Sequence, residues 1–267
     1  MTRPVVLILS GHDPTGGAGL TADAEAVAAH GGWPVTLATA MTAQNTYGVE
    51  AVWPTPVAML ERQLSVLEAD MSFDAIKVGL IADAGVLEFV ARLLARYRKL
   101  PSVLDPVVTS GTGQAMNGNV APGALRALLD DVTLVTPNTA ELLRMSEVPD
   151  PERAIERLSA QNAHVLVTGT DVDPGAERIT HSLFHAGRAI KHWSWPRLSG
   201  SYHGSGCTLA ASCAALMAQG DSIESACARA QSYTWHALEH GIRLGGGQFM
   251  PGRFWHYPLS ATEHNDD

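Results

Sequence analysis

The sequence predicts an α/β fold: a three-layer sandwich with a mostly parallel central sheet, helices on both faces and a hairpin at one edge. Two observations carry this. Apolar, β-rich runs without helical period alternate with Ala/Leu/Glu-rich segments along most of the chain. One later segment instead alternates residue by residue around a tight turn.

The elements follow in order. "PVVLILS" (4–10) is a continuous apolar run, as a strand buried on both faces requires. "GLTADAEAVAAHGG" (19–32) has helical composition and a stop at Gly31 and Gly32. "WPVTLATAM" resumes a strand. A helix in "PVAMLERQLSVLEAD", a strand in "AIKVGLI", a helix in "DAGVLEFVARLLARYRK" and a strand in "PSVLDPVV" repeat the pattern. Next come the strand "VTLVTP", the helices "NTAELLRM" and "DPERAIERLSAQ", and the strand "HVLVTGT". Such alternation implies right-handed crossovers and a parallel sheet. Residues 179–195 break the rhythm with two alternating runs around Ala186, Gly187 and Arg188, an antiparallel hairpin expected at a sheet edge. The helices "GCTLAASCAALMAQG" and "DSIESACARAQSYTWHALEHG" follow, the second with Asp221 as its expected N-cap and Gly241 as its stop. No linker, repeat or low-complexity tract divides the chain, so residues 1–267 are read as one domain.

Composition excludes several functions. A net charge of -9 and the lack of a Lys/Arg run argue against nucleic-acid binding. Cys207, Cys213 and Cys227 have neither disulfide-framework nor metal spacing, which favours a reducing compartment. The N-terminal apolar run is too short for a membrane span or a signal segment. A cytoplasmic protein with no membrane partner is expected.

In an open parallel sheet, ligands bind beyond the carboxyl ends of the strands. After the first strand, "SGHDPTGGAGLTAD" places Gly16, Gly17 and Gly19 before a helix N-terminus, which permits close backbone approach to a ligand. It has neither the dinucleotide order nor the P-loop lysine. In "TAQNTYGV", Gln44 both donates and accepts, as reading a heteroaromatic edge requires; a solvated loop explains the segment equally well. "LDPVV" sets Asp105 at a strand end before Pro106. In "TPNTAELL", Asn138 and Glu141 have the spacing of a helix cap. Asp105 and Glu141 together also suit Mg²⁺, which takes one or two carboxylates plus water and phosphate oxygens. In "HGSGCTLAAS", Gly204, Ser205 and Gly206 lead into a helix, so their N–H groups form an anion hole without a lysine.

These motifs, "SGHDPTGGAGLTADAEA", "TAMTAQNTYGV", "IKVGLI", "VLDPVV", "TPNTAELL" and "HGSGCTLAAS", resemble in order and spacing those of the hydroxymethylpyrimidine and phosphomethylpyrimidine kinases of thiamine biosynthesis, in the ribokinase-like superfamily. The resemblance runs from Val5 to about His240. It implies a ribokinase-like fold and Mg²⁺-assisted, ATP-dependent phosphorylation of 4-amino-5-hydroxymethyl-2-methylpyrimidine, of its monophosphate, or of both. A homodimer is expected on the same ground.

Carried over to this sequence, the resemblance assigns Asp23 and Gln44 to hydrogen bonds with the pyrimidine, with Gly11, Ala18 and Leu80 lining its pocket. Asp105, Asn138 and Glu141 correspond to the phosphate and magnesium cluster, and Thr168 and Gly169 to the nucleotide contact. Gly204, Ser205 and Gly206 correspond to the anion hole, and Cys207 to the residue beside the reacting hydroxymethyl group. At a helix N-terminus its thiol is expected to be acidified and to accept the hydroxyl proton.

The sequence departs from the family at four places. Thr168 in "VLVTGT" replaces a usual lysine, as pyridoxal kinases often do, and Leu80 replaces a methionine. His12 stands where serine is common, and Tyr202 where threonine is. A pyridoxal kinase and a non-catalytic pyrimidine-binding protein therefore stay open. Elsewhere the residues read as packing: Cys213 and Cys227 within helices, and Trp193, Trp195, Phe254, Trp255 and Tyr257 around the hairpin and tail. His181 and His185 sit on an alternating strand rather than in a metal pair. Arg92, Arg96, Arg98 and Lys99 form a solvated helix face and terminus.

Overall fold

The computed structural model describes residues 3–107, 116, 118, 120–170 and 175–256. Tyr257, expected to pack against the tail, lies outside them, as do the ends of the 1–267 span.

Strict alternation along the buried strands builds two cores on one sheet. In β1 (Val5–His12), Leu7 and Leu9 join one core while Val6 and Ile8 join the other. Nine strands form the sheet in the order β3-β2-β1-β4-β5-β6-β7-β8-β9. These are β2 (Trp33–Asn45), β3 (Gly48–Pro54), β4 (Ala75–Val78), β5 (Ser102–Leu104), β6 (Leu134–Val135), β7 (His164–Thr168), β8 (Arg178–His185) and β9 (Arg188–Pro196). From β2 through β7 the neighbours pair in parallel. β3 at one edge and the β8–β9 pair at the other are antiparallel.

One core lies under helices α2 (Val57–Glu68), α3 (Ala84–Arg96), α4 (Thr139–Ser146) and α5 (Pro151–Ser159), with the 3₁₀ segment Pro122–Leu128. The other lies under α1 (Gly19–Ala29), α6 (Ser205–Ala218) and α7 (Ile223–Glu239). α6 is buried along nearly its whole length, which explains why it is built from Ala, Cys, Ser and Leu rather than an amphipathic stripe. Cys213 and Cys227 are fully buried in this second core, as packing requires.

The expected edge hairpin is present: β8 and β9 turn at Ala186 and Gly187, both at positive φ. The other edge holds a second hairpin that alternation did not announce. "TAQN" continues β2 rather than forming a loop, and the chain turns at Thr46 and Tyr47 into β3 with a register shift at Ala43/Gln44. Polar residues hid this strand because it extends past β1 and pairs on one side only. Ser222, not Asp221, caps α7 by accepting from the Ser225 amide, because Asp221 is engaged by Arg229 at 2.7 Å. Arg92, Arg96 and Arg98 pair with Glu61, Glu68 and Asp131 on the surface. Among the described residues, no helix is long and apolar enough to cross a membrane.

Candidate active site

Strand ends and helix starts converge on a cavity of about 820 Å³. Gly11, Ala18, Gln44 and Leu80 line it, as do Asp105, Asn138, Glu141, Thr168, Gly169, Gly204, Ser205, Gly206 and Cys207. Of the residues that the family resemblance assigns, all are thus on its wall except Asp23, while Gly16 and Gly17 of the first loop are not among its lining residues.

The two glycine loops meet backbone to backbone. Gly204 is the N-cap of α6 with φ 69°, and a Cβ there would collide with the Gly17 carbonyl oxygen. Thr208 Oγ1 donates to the Gly204 carbonyl at 2.8 Å and fixes the first turn. From the tail, Arg253 ties both loops together. Its Nε donates to Thr208 Oγ1 at 2.9 Å, its Nη1 to Glu25 at 3.0 Å, and its guanidinium also donates to the Gly16 and Gly17 carbonyls.

Asp13 organises the first loop. Its carboxylate accepts from the amides of Thr15 and Ala18, each at 2.8 Å, from the Thr15 hydroxyl, and from His203 Nε2 at 2.8 Å. Burial alone would raise its pKa, but the His203 and Thr15 hydrogen bonds outweigh it and hold Asp13 at about 2. His203 Nε2 also lies 3.3 Å from the side-chain amide of Gln44.

The capping-box geometry is realised: Asn138 Oδ1 accepts from the Glu141 amide and Glu141 Oε2 from the Asn138 amide, each at 2.9 Å. The same two residues face the cavity, so cap and site readings hold together. Burial, with the charge of Asp105, pushes Glu141 up to about 8.

Asp23 is the first correction. It is fully buried below the cavity wall, where its Oδ2 accepts from Lys77 Nζ at 2.7 Å, so no ligand reaches it directly. Lys77, itself fully buried, lies 3.7 Å from Asp105 Oδ2. Burial opposes its charge, but the carboxylates of Asp23 and Asp105 around it keep the ammonium protonated. Lys77 is a residue that sequence reasoning missed, although a lone lysine in the apolar run "AIKVGLI" was its signal.

Cys207 is the second correction. Burial pushes its thiol above the usual range, and the charges of Asp105 and Asp23 push it further. Lys77 and the Gly19 amide act the other way without prevailing, so the expected acidified thiol is absent and Cys207 is a neutral S–H. Position in the sequence showed the helix N-terminus but not the carboxylates beneath it.

Trp195, read as packing, also lines the cavity, as do His181, Gln231 and Thr234. His181 and His185 make no metal pair: His181 bonds Gln231, and His185 stacks on His164 with centroids 4.0 Å apart.

The sequence profile of the phosphomethylpyrimidine kinase family matches residues 13–251. A Streptomyces coelicolor protein named hydroxymethylpyrimidine/phosphomethylpyrimidine kinase is 36% identical over 92% of this chain and 93% of its own. A thiamine biosynthesis multifunctional protein of Corynebacterium glutamicum is 33% identical, and there the match covers 92% of this chain but only 33% of the relative. The pyridoxal kinase of Staphylococcus aureus, solved with pyridoxal, superimposes with a TM-score of 0.82 over 97% of this chain and 96% of its own at 24% identity, a likeness of fold. The profile match and the near full-length relative together place this chain in the phosphomethylpyrimidine kinase family.

Proposed function

We propose that this chain transfers the terminal phosphoryl group of ATP to 4-amino-5-hydroxymethyl-2-methylpyrimidine and then to its monophosphate, within thiamine biosynthesis. The observation that carries the reading is that one cavity, in a chain of this family, joins two glycine loops to a pair of buried carboxyl groups. The pyrimidine sits against Gly11, Ala18 and Leu80 with Gln44 reading its edge. Asp23 serves indirectly, by fixing Lys77 under Asp105.

Asn138, Thr168 and Gly169 border the path of the nucleotide phosphates, and the amides of Gly204, Ser205 and Gly206 receive the charge that develops on the transferring group. Asp105 Oδ2 is a buried oxygen without a hydrogen-bond donor, 3.7 Å from Lys77 Nζ, and with the Glu141 carboxyl lining the same cavity this donor pair fits Mg²⁺. When bound, that ion supplies positive charge for the phosphate oxygens. Phosphoryl transfer has little need of a strong base, so a neutral Cys207 holds the acceptor hydroxyl in place rather than deprotonating it. The monophosphate, already ionised, needs no proton removed.

The same reading makes residues 1–267 one kinase domain acting in the cytoplasm on small molecules, not on nucleic acid. Exposed Met41, Tyr47 and Trp53 on the β2–β3 hairpin support a homodimer through that edge. ADP release on the pyrimidine alcohol, its monophosphate and pyridoxal tests the function. Turnover of the two pyrimidines supports it. Turnover of pyridoxal alone overturns the acceptor, and ligand binding without turnover overturns the kinase.

A further inference from the structure

The cavity has a second end, away from the glycine loops. Ile179 and His181 of β8 and Trp195 of β9 form one wall. Gln231, Thr234 and Leu238, spaced as one face of α7, form the other. His181 pairs with Thr168 across the β7–β8 ladder, so this end adjoins the expected phosphate path. An apolar slot between a sheet face and a helix suits a flat aromatic ring.

The polar atoms in the slot have determined roles. The indole N–H of Trp195 donates to Gln231 Oε1 at 3.1 Å, and Gln231 Nε2 donates to the Cys227 carbonyl at 2.9 Å. An indole N–H only donates and a carbonyl only accepts, so the Gln231 amide has one orientation. His181 Nδ1, 3.0 Å from the same Oε1, must therefore carry the ring proton. Burial holds the imidazole neutral at neutral pH, with its pKa lowered to about 4. The remaining nitrogen, Nε2, is then a bare acceptor on a residue that lines the cavity. On the opposite wall the Thr234 hydroxyl is buried without a partner.

We infer that His181, oriented by Gln231 and Trp195, is a specificity-determining residue that accepts a hydrogen bond from the 6-amino group of a purine nucleotide and so selects adenine over 6-oxo purines. The Thr234 hydroxyl offers a rotatable donor to a ring nitrogen of the same base. A 6-oxo purine presents a carbonyl to the His181 lone pair, acceptor against acceptor. The inference rests on the proposed use of ATP and makes His181 the determinant of that choice within this chain.

The test is kcat/KM for the pyrimidine alcohol, and separately nucleotide affinity by calorimetry, with ATP, inosine triphosphate and purine riboside triphosphate, which lacks only the amino group. Wild type should favour ATP over purine riboside triphosphate by roughly fivefold to tenfold, as one neutral hydrogen bond supplies. His181→Phe should bring that ratio close to one by raising KM for ATP, with kcat retained. ¹⁵N NMR of the histidine rings should find the His181 proton on Nδ1. Equal use of ATP and purine riboside triphosphate by wild type, an unchanged ratio in His181→Phe, or a proton on Nε2 overturns the inference. If the pyrimidine is not phosphorylated while nucleotides bind, the proposed function fails and the affinity ratio still decides the inference. If ATP does not bind, the inference falls.

Discussion

Lys77 and Asp23 form a 2.7 Å ion pair with both side chains fully buried, and the same ammonium stands 3.7 Å from Asp105. Removing the cation strands two carboxylates without water. Lys77→Met should cost about 3–5 kcal/mol in chemical denaturation. Replacing both partners, in Lys77→Met with Asp23→Leu, should recover much of that stability but not the activity, because Asp105 loses its neighbouring charge. A double variant with wild-type turnover would show that the pair is structural only.

The neutral state of Cys207 predicts slow chemistry. At pH 7.5 iodoacetamide should alkylate it at less than about a tenth of the rate of an exposed cysteine, since the thiolate is the nucleophile. Peptide mapping after timed alkylation measures this. Cys207→Ser should keep most turnover on both acceptors, whereas a large loss on the alcohol alone would restore a proton-accepting role.

Glu141 ties stability to pH. Its folded pKa of about 8 lies above the ordinary glutamate value of 4.5, so the folded chain holds a proton that the unfolded chain releases between those limits. This contribution is complete below pH 4.5, declines as pH rises, and is gone above about 8. Glu141→Gln keeps the cap acceptor without the charge. Its Tm should therefore gain on that of wild type from pH 5 to 8 and hold a constant difference above, while its turnover falls by roughly two orders of magnitude. Parallel Tm curves would count against a raised pKa.

Arg253 predicts a site defect from a residue outside the cavity wall. Arg253→Met should raise KM for the pyrimidine and destabilise the fold by about 3 kcal/mol, because the buried Gly17 carbonyl, the half-buried Gly16 carbonyl and Glu25 lose their donor. Arg253→Lys should rescue little, since an ammonium does not reproduce the fork. Steady-state kinetics with thermal unfolding checks both variants.

Alternation of apolar strands with helices made the sheet legible, because burial on both faces leaves a signature in each run. The β2 extension and β3 were not legible: strands that leave the core need no apolar code. Of the site, the loops were visible through glycine, and Asp105, Asn138 and Glu141 through their places at element ends. The partner of Asp23 was hidden, since an ion pair across 54 residues has no local pattern. The thiol of Cys207 was misjudged for the same reason: local sequence shows a helix dipole but not the carboxylates that other strands place under it. Gln231, in an ordinary helical stretch, became interpretable only once Trp195 and His181 stood against it.

The joining of the Gly16–Gly17 loop to the Gly204 turn through Arg253 also has a consequence in time. Most of the sheet is complete when β7 has been synthesised, yet the first loop acquires its clamp only when residue 253 has left the ribosome. A chain that ends short of that point lacks the donors that Arg253 gives to the Gly16 and Gly17 carbonyls and to Thr208, so its two glycine loops are left without their shared clamp.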